Sequence, residues 1–299
     1  MSNQAEAQAP RIGVTMGDPE GIGPEVILAS IEALGGALDL VIYGDPALFG
    51  GSGAEVEAHE RPRDAIEAAA RDLASGAIDA VVTGPVSKSC FEGEYPGHTE
   101  LFADRLGSED VTMVLTGPRL TVSCVTTHLP LRDVPDALTI AGVLRAARHV
   151  AAFLTETRDI AAPRLAVAAL NPHASDGGLF GDEEARILAP AVAQLAGEGL
   201  DVSGPLSSDT VFHHAAQGRF DAVVCAYHDQ ALIPFKLLHF SDGVNVTMGL
   251  PRPRTSPDHG PAYDIAKQGV ADPTSMLRAI ELAAQLARSG GDQTPWKHA

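Results

Sequence analysis

Short apolar runs rich in Val and Ala alternate with Ala-rich helical patterns along the whole chain, and this alternation limits the available folds more than any other feature. Runs of this length, apolar at successive positions, suit parallel strands covered on both faces; strands alternating with helices signal βαβ units. The pattern predicts strands over 11–16, 38–43, 80–83, 113–116, 120–127, 165–170, 221–226 and 244–248. It predicts helices over 63–74, 140–155, 183–196 and 274–287, with a further helix starting at Pro24. The expected fold class is therefore α/β with mostly parallel sheets. A chain of 299 residues suits one large or two medium domains, and no Gly/Ser-rich linker marks a border between them.

Three of the apolar runs end in histidine: LTVSCVTTH at His128, LAVAALNPH at His173 and DAVVCAYH at His228. The carboxyl ends of parallel strands are where α/β proteins place ligands, and a neutral imidazole is the commonest side chain for holding a transition metal. Taken singly, each histidine is more often a satisfied polar residue. Together they form a candidate metal site, with coordination positions left open for a substrate hydroxyl and carboxyl. Asn171 and Asp229 are placed to orient these rings by hydrogen bonds. Downstream, Lys236, Asn245 and Arg254 combine two cations with an amide, which suits a phosphate-bearing substrate; the competing reading is surface charge.

Three loops carry further signals. The first strand runs into GDPEGIGPEVIL, whose glycines permit tight turns. Its spacing matches neither G-x-G-x-x-G nor a Walker loop, so an anion site and a plain helix-starting turn both stay open. The segment TGPVSK offers Lys88 to an anion or to solvent. In Gly97-His98-Thr99-Glu100 a hydroxyl cap on Thr99 is expected to open a helix, with His98 and Thr99 at its positive end.

The net charge is −18, from 39 acidic and 21 basic residues. Such a surface repels phosphate backbones and anionic lipid, so neither nucleic acid nor membrane is expected as a partner. No apolar stretch approaches the roughly 20 residues of a spanning helix. The opening MSNQAEAQAP lacks the basic and apolar regions of a signal peptide and reads as a disordered tail. Cys90, Cys124 and Cys225 read as small core residues of a reducing compartment, so a cytoplasmic location is expected.

Several blocks match one family in order along the chain: GVTMGDPEGIGPE, VTGPVSK, GHTELFA, TTHLPLRDV, LNPHASDGG, GPLSSDT, YHDQALIPFK and GVNVTMGLPRPRTSPDHG followed by DIA. With these the sequence resembles the 4-hydroxythreonine-4-phosphate dehydrogenase (PdxA) family. The resemblance implies an isocitrate/isopropylmalate dehydrogenase-like fold of two α/β domains with the active site in the cleft between them. One domain would take 10–120 plus 255–299 and carry the cofactor loop. The central domain, 121–254, would carry the metal histidines and the contact of a homodimer whose partner completes each cleft.

The resemblance further implies metal ligands at His128, His173 and His228 for a divalent Zn, Mg or Co ion; imidazole softness favours Zn over Mg. Substrate-binding positions fall on His98, Thr99, Lys236, Asn245 and Arg254. The loop His259-Gly260-Pro261-Ala262-Tyr263-Asp264-Ile265-Ala266 would wrap the adenosine of NAD, through His259, Gly260, Asp264 and Ile265. Asp264 would bind the ribose hydroxyls and disfavour the 2′-phosphate of NADP, although NADP stays open. Lys236, or the pair Asp258 and His259, would be the catalytic base. The implied reaction is NAD-dependent oxidation and decarboxylation of 4-phosphooxy-L-threonine to 3-amino-2-oxopropyl phosphate in vitamin B6 biosynthesis. A catabolic relative acting on D-threonate or D-erythronate 4-phosphate is the alternative. Departures from the family pattern are Pro261, Tyr263 and shortened segments between Tyr43 and Ala80 and before Gly97.

Overall fold

The computed structural model of the protein describes residues 9–289. Most of the expected N-terminal tail, 1–8, lies outside the described residues. The strands are β1 (Arg11–Thr15), β2 (Asp39–Gly44), β3 (Glu55–Ala58), β4 (Ala80–Thr83), β5 (Thr112–Thr116), β6 (Thr121–Cys124) and β7 (Leu165–Ala168). Then come β8 (Val202–Leu206), β9 (Ala222–Cys225), β10 (Val244–Met248) and β11 (Arg254–Pro257). The helices are α1 (Gly23–Leu34), α2 (Pro46–Phe49), α3 (Pro62–Ser75), α4 (His98–Arg105) and α5 (Val134–Ala137). They continue with α6 (Ile140–Arg158), α7 (Ala189–Gly197), α8 (Ser208–Ala216), α9 (His228–His239) and α10 (Thr274–Ser289). The described chain divides into two compact units, 9–107 with 252–289, and 108–251.

In the first unit the strand order is β3-β2-β1-β4-β11, parallel throughout. Ile12, Val14, Ile42 and Val82 are fully or almost fully buried on these strands. Helix α3 packs on β1 and β2, and α10 on β4 and β11, burying Met276, Ala279, Ile280 and Ala283. Pro62 pre-sets the first turn of α3, and Gly76 ends it in the left-handed conformation, its N–H donating to the Asp72 and Leu73 carbonyls.

The second unit orders its strands β10-β5-β6-β9-β7-β8, with β10/β5 and β5/β6 antiparallel and the rest parallel. The three central parallel strands, TVSC, AVVC and LAVA, are buried at every position. Cys124 and Cys225 pair in register inside this core, beneath Phe235 of α9. The fold class is α/β with mostly parallel sheets, and all eight strands expected from the sequence are present.

Three strands were not expected, each for its own reason. β3 reads EVEA and is an edge strand with charged residues in it. β8 contains Gly204-Pro205, tolerable because it too is an edge. β11 reads RTSP, a polar string buried at every position. The helix expected over 183–196 is divided: a π-turn over Glu184–Leu188 precedes α7. Pro190 has no N–H to donate to the Arg186 carbonyl, so the regular ladder is interrupted there. Gly97, not Thr99, caps α4; His98 and Thr99 occupy its first turn.

His149 of α6 is buried, its Nδ1 2.8 Å from Thr112 Oγ1. Burial, and after it the Arg145 charge, lower its pKa to about 4. The unfolded chain therefore takes up this proton below about 6.5 while the folded chain resists it. Stability from this group is complete above that pH and is lost as pH falls toward 4, by up to about 3 kcal/mol. In urea titrations His149→Asn should gain on the wild type progressively as pH is lowered from 6.5 to 4, whereas a constant gap would place the acid sensitivity elsewhere.

Candidate active site

The three strand-end histidines leave adjacent parallel strands, in the order β6-β9-β7. His128 follows β6, His173 follows β7, and His228 follows β9 as the first residue of α9. The rings of His128 and His228 lie 5.8 Å apart, tilted by 42°. Asp229 Oδ1 is 2.6 Å from His228 Nδ1, which favours the tautomer that leaves the Nε2 lone pair for a ligand.

His173 stands differently. It opens a turn in which His173, Ala174, Ser175, Asp176 and Gly177 all have left-handed φ, from 43° to 72°. Its ring faces Phe180 at 6.4 Å. Asn171 does not orient the ring; its side-chain N–H groups go to Glu183 Oε2 (2.7 Å) and Glu184 Oε2 (2.9 Å). The Asn171 backbone N–H donates to Glu184 Oε1 at 2.7 Å, and Ser175 Oγ donates to the Gly181 carbonyl. Burial works to raise the Glu184 pKa, but the hydrogen bonds from Asn171 prevail and hold it below the usual carboxylate range. Among the described residues no three His, Cys, Asp or Glu side chains stand together as a metal cage. The donor set nevertheless fits a transition metal: three imidazoles at neighbouring strand ends, two of them already side by side.

Gln230, not singled out from the sequence, organises this region. Its Oε1 accepts the Ala226 N–H at 2.6 Å, and its Nε2 donates to the Ala169 carbonyl at 2.7 Å and to Ser208 Oγ at 2.9 Å. One buried side chain therefore ties the carboxyl ends of β9 and β7. An open pocket of about 590 Å³ adjoins it, lined by Asn171, His173, Tyr227, Asp229, Ile233 and Leu237 among others. Lys236 is half-buried on α9, and the Oδ1 of Asn245 on β10 is buried with no hydrogen-bond partner among the described residues.

In the first unit, Arg254 begins β11 and is 3% exposed. Its Nη2 donates to Thr83 Oγ1 at 2.5 Å, at the carboxyl end of β4. Burial lowers the Arg254 pKa to about 10, against the opposing attraction of Glu100. Arg254 is thus still a cation at neutral pH. Burial, and then the Arg254 charge, push the His98 pKa well down, so this imidazole is neutral. Its ring stands edge-on to Phe91 at 5.1 Å, and its Nε2 is buried with no hydrogen-bond partner among the described residues. A buried cation, an unsatisfied imidazole nitrogen and the α4 amino end are the elements of an anion site. Lys88 is exposed and joins none of these groups.

The 259–266 segment is a loop. His259 Nδ1 is 3.1 Å from the Gly260 carbonyl, the Asp258 N–H donates to Ser275 Oγ at 3.2 Å, and the Ile265 N–H donates to the Ala262 carbonyl at 3.2 Å. Asp264 is exposed and Ile265 half-buried. The loop lies on the glycine-bearing turn before α1, where the Ile22 N–H donates to the Pro261 carbonyl at 2.8 Å and the Gly21 N–H to Asp18 O at 3.0 Å. The Gly21 and Ile22 amides are thus engaged by the chain itself.

Comparison with known proteins agrees with these motifs. The family model described as "Pyridoxal phosphate biosynthetic protein PdxA" matches residues 52–283. A 4-hydroxythreonine-4-phosphate dehydrogenase from Geobacter metallireducens is 45% identical over 94% of this chain and 97% of its own length. A crystal structure of the Klebsiella pneumoniae 4-hydroxythreonine-4-phosphate dehydrogenase superposes with a TM-score of 0.79 at 38% identity, covering 93% of this chain and 99% of that one. Isocitrate dehydrogenase from Methylococcus capsulatus shares the fold, with a TM-score of 0.57 at 17% identity over 93% of this chain and 88% of that one.

Thr83→Val removes an acceptor from a buried guanidinium while keeping volume. It should cost about 1–3 kcal/mol in chemical denaturation, the range for leaving a buried donor unsatisfied; a cost near zero would mean that the Thr83 hydroxyl does not hold Arg254.

Proposed function

The chain belongs to the 4-hydroxythreonine-4-phosphate dehydrogenase (PdxA) family, and from that premise we propose that it oxidises and decarboxylates 4-phosphooxy-L-threonine. The product is 3-amino-2-oxopropyl phosphate, for pyridoxal 5′-phosphate biosynthesis in the cytoplasm. The observation that carries this reading is the buried Arg254 held by Thr83 beside a neutral His98, a site prepared for an anion. A phosphate would add charge-assisted hydrogen bonds to that cation, which a phosphate-free substrate would not supply.

His98, Thr99, Lys236, Asn245 and Arg254 bind the phosphate and carboxylate oxygens and so fix which hydroxyl is presented for oxidation. Neutral His98 offers a hydrogen bond without adding a second cation. His128, His173 and His228 hold a divalent Zn, Mg or Co ion, with Zn favoured by the imidazole set. When bound, that ion supplies Lewis acidity to the substrate hydroxyl. The hydroxyl proton passes to Lys236, or to the pair Asp258 and His259. Bound NAD would supply the hydride acceptor. His259, Gly260, Asp264 and Ile265 hold its adenosine half, and the exposed Asp264 carboxylate disfavours the 2′-phosphate of NADP.

A homodimer is part of the proposal. Ile233 and Leu237 on α9 and Phe240 just past its end are 70%, 85% and 78% exposed, an apolar row suited to burial against a second copy.

NADH formation from 4-phosphooxy-L-threonine should be found in untreated enzyme and lost after chelation. Turnover of phosphorylated threonate alone would instead make this a catabolic relative. Within the same assay His173→Ala should abolish turnover. Arg254→Ala should raise KM for the phosphorylated substrate far more than for a dephosphorylated analogue; equal effects on both would show that Arg254 does not read phosphate.

A further inference from the structure

Residues 259–269 are clasped by the acidic turn before α1 and by the first turn of that helix. Glu25 makes the central contact, accepting the Lys267 backbone N–H on Oε1 and the Gly269 backbone N–H on Oε2, the latter at 3.1 Å. Lys267 Nζ donates to Glu20 Oε2 at 2.6 Å. Tyr263 Oη donates to Asp18 Oδ2 at 2.5 Å, and the Ile22 N–H reaches the Pro261 carbonyl at 2.8 Å. At Gly21 the two segments approach so closely that a Cβ would lie 2.7 Å from the Pro261 carbonyl oxygen.

The clasped loop is not a relaxed one. Ala262 and Lys267 carry φ of 44° and 63°, left-handed values that non-glycine residues rarely adopt without support. Between them lie Asp264, exposed, and Ile265, half-buried. The hydrogen bonds from Glu25, Glu20 and Asp18 grip its two ends and support that shape.

We propose that Glu25, assisted by Asp18, is a positioning residue for the nucleotide: it holds the 262–269 loop in the conformation that receives the adenosine half of NAD. This rests on the assignment of 259–266 as the cofactor loop. Glu25 touches neither substrate nor cofactor and acts only through the two amides it accepts. Without it the loop samples other conformations, and apparent affinity falls in proportion to the fraction of time the competent one is occupied.

The test compares Glu25→Ala with the wild type and with Glu32→Ala, a control on the exposed face of the same helix. Hydrogen exchange at 262–269 is followed in nucleotide-free protein, NAD binding by calorimetry, and KM for the phosphorylated substrate by steady-state kinetics. Expected are faster exchange confined to the loop, NAD affinity weakened about tenfold as the competent fraction drops to about a tenth, and an unchanged substrate KM. Glu25→Gln, which keeps one acceptor, should recover part of the affinity. Should Glu25→Ala fail to fold, Tyr263→Phe removes the hydroxyl contacts to Asp18 and Ser87 and should shift both readouts in the same direction by less. Unchanged exchange, or faster exchange with unchanged NAD affinity, would overturn the proposal. A wild type that binds no NAD would instead remove the cofactor assignment on which it rests, and the two failures are distinct.

Discussion

The chemistry of the central unit hangs from the carboxyl ends of three neighbouring parallel strands, and one buried amide ties two of those ends together. β6, β9 and β7 are covered on both faces, so their ladder hydrogen bonds are complete and their directions fixed. Where the ladder stops, backbone groups need new partners. Gln230 supplies them to Ala226 and Ala169 at once, which fixes where the chain leaves toward His228 and toward His173. The histidines diverge after that point because their local backbones differ. His228 enters a helix and is braced by Asp229, while His173 enters a left-handed turn braced by Glu183 and Glu184 through Asn171.

The first unit solves a different problem, the presence of a buried cation. Arg254 sits on a strand whose four residues are all buried, and its electrostatic cost is offset by the Thr83 hydroxyl and the Glu100 carboxylate. Burial, and after it the same charge, keep His98 neutral. A negatively charged chain has thus set aside one positive, dry position, and the chemistry assigned to it is that of binding an anion.

How legible this was depends on the kind of interaction involved. Apolar runs spell out buried strands directly, so all eight were found, as was the order in which histidines follow them. β11 was not, because its burial is carried by polar groups that find partners far along the chain: Thr255 donates to the Ala279 carbonyl and Arg254 to Thr83. Gln230 and Glu184 were invisible for a similar reason; each acts on backbone groups distant in sequence, and no spacing rule marks them. Thr99 has the look of a cap, yet Gly97 takes that position in an extended conformation, with φ near 180°. The glycines before α1 are read as a ligand loop or a turn with equal ease. Their close packing on Pro261, distant in sequence, shows only in the structure.

The left-handed run from His173 to Gly177 has a consequence for local stability. Only its last residue is glycine, and each of the others holds a conformation that costs roughly 1–2 kcal/mol in an L-residue. Such a segment sits above its own relaxed state and is retained by Asn171, Glu184 and Ser175 rather than by its own preferences. It is therefore the part of the central unit poised to open before the rest, as a local event that leaves the sheet beneath it folded. A ligand bound through His173 would close that event off, so occupancy would register first as the disappearance of a local opening and only then as a gain in global stability.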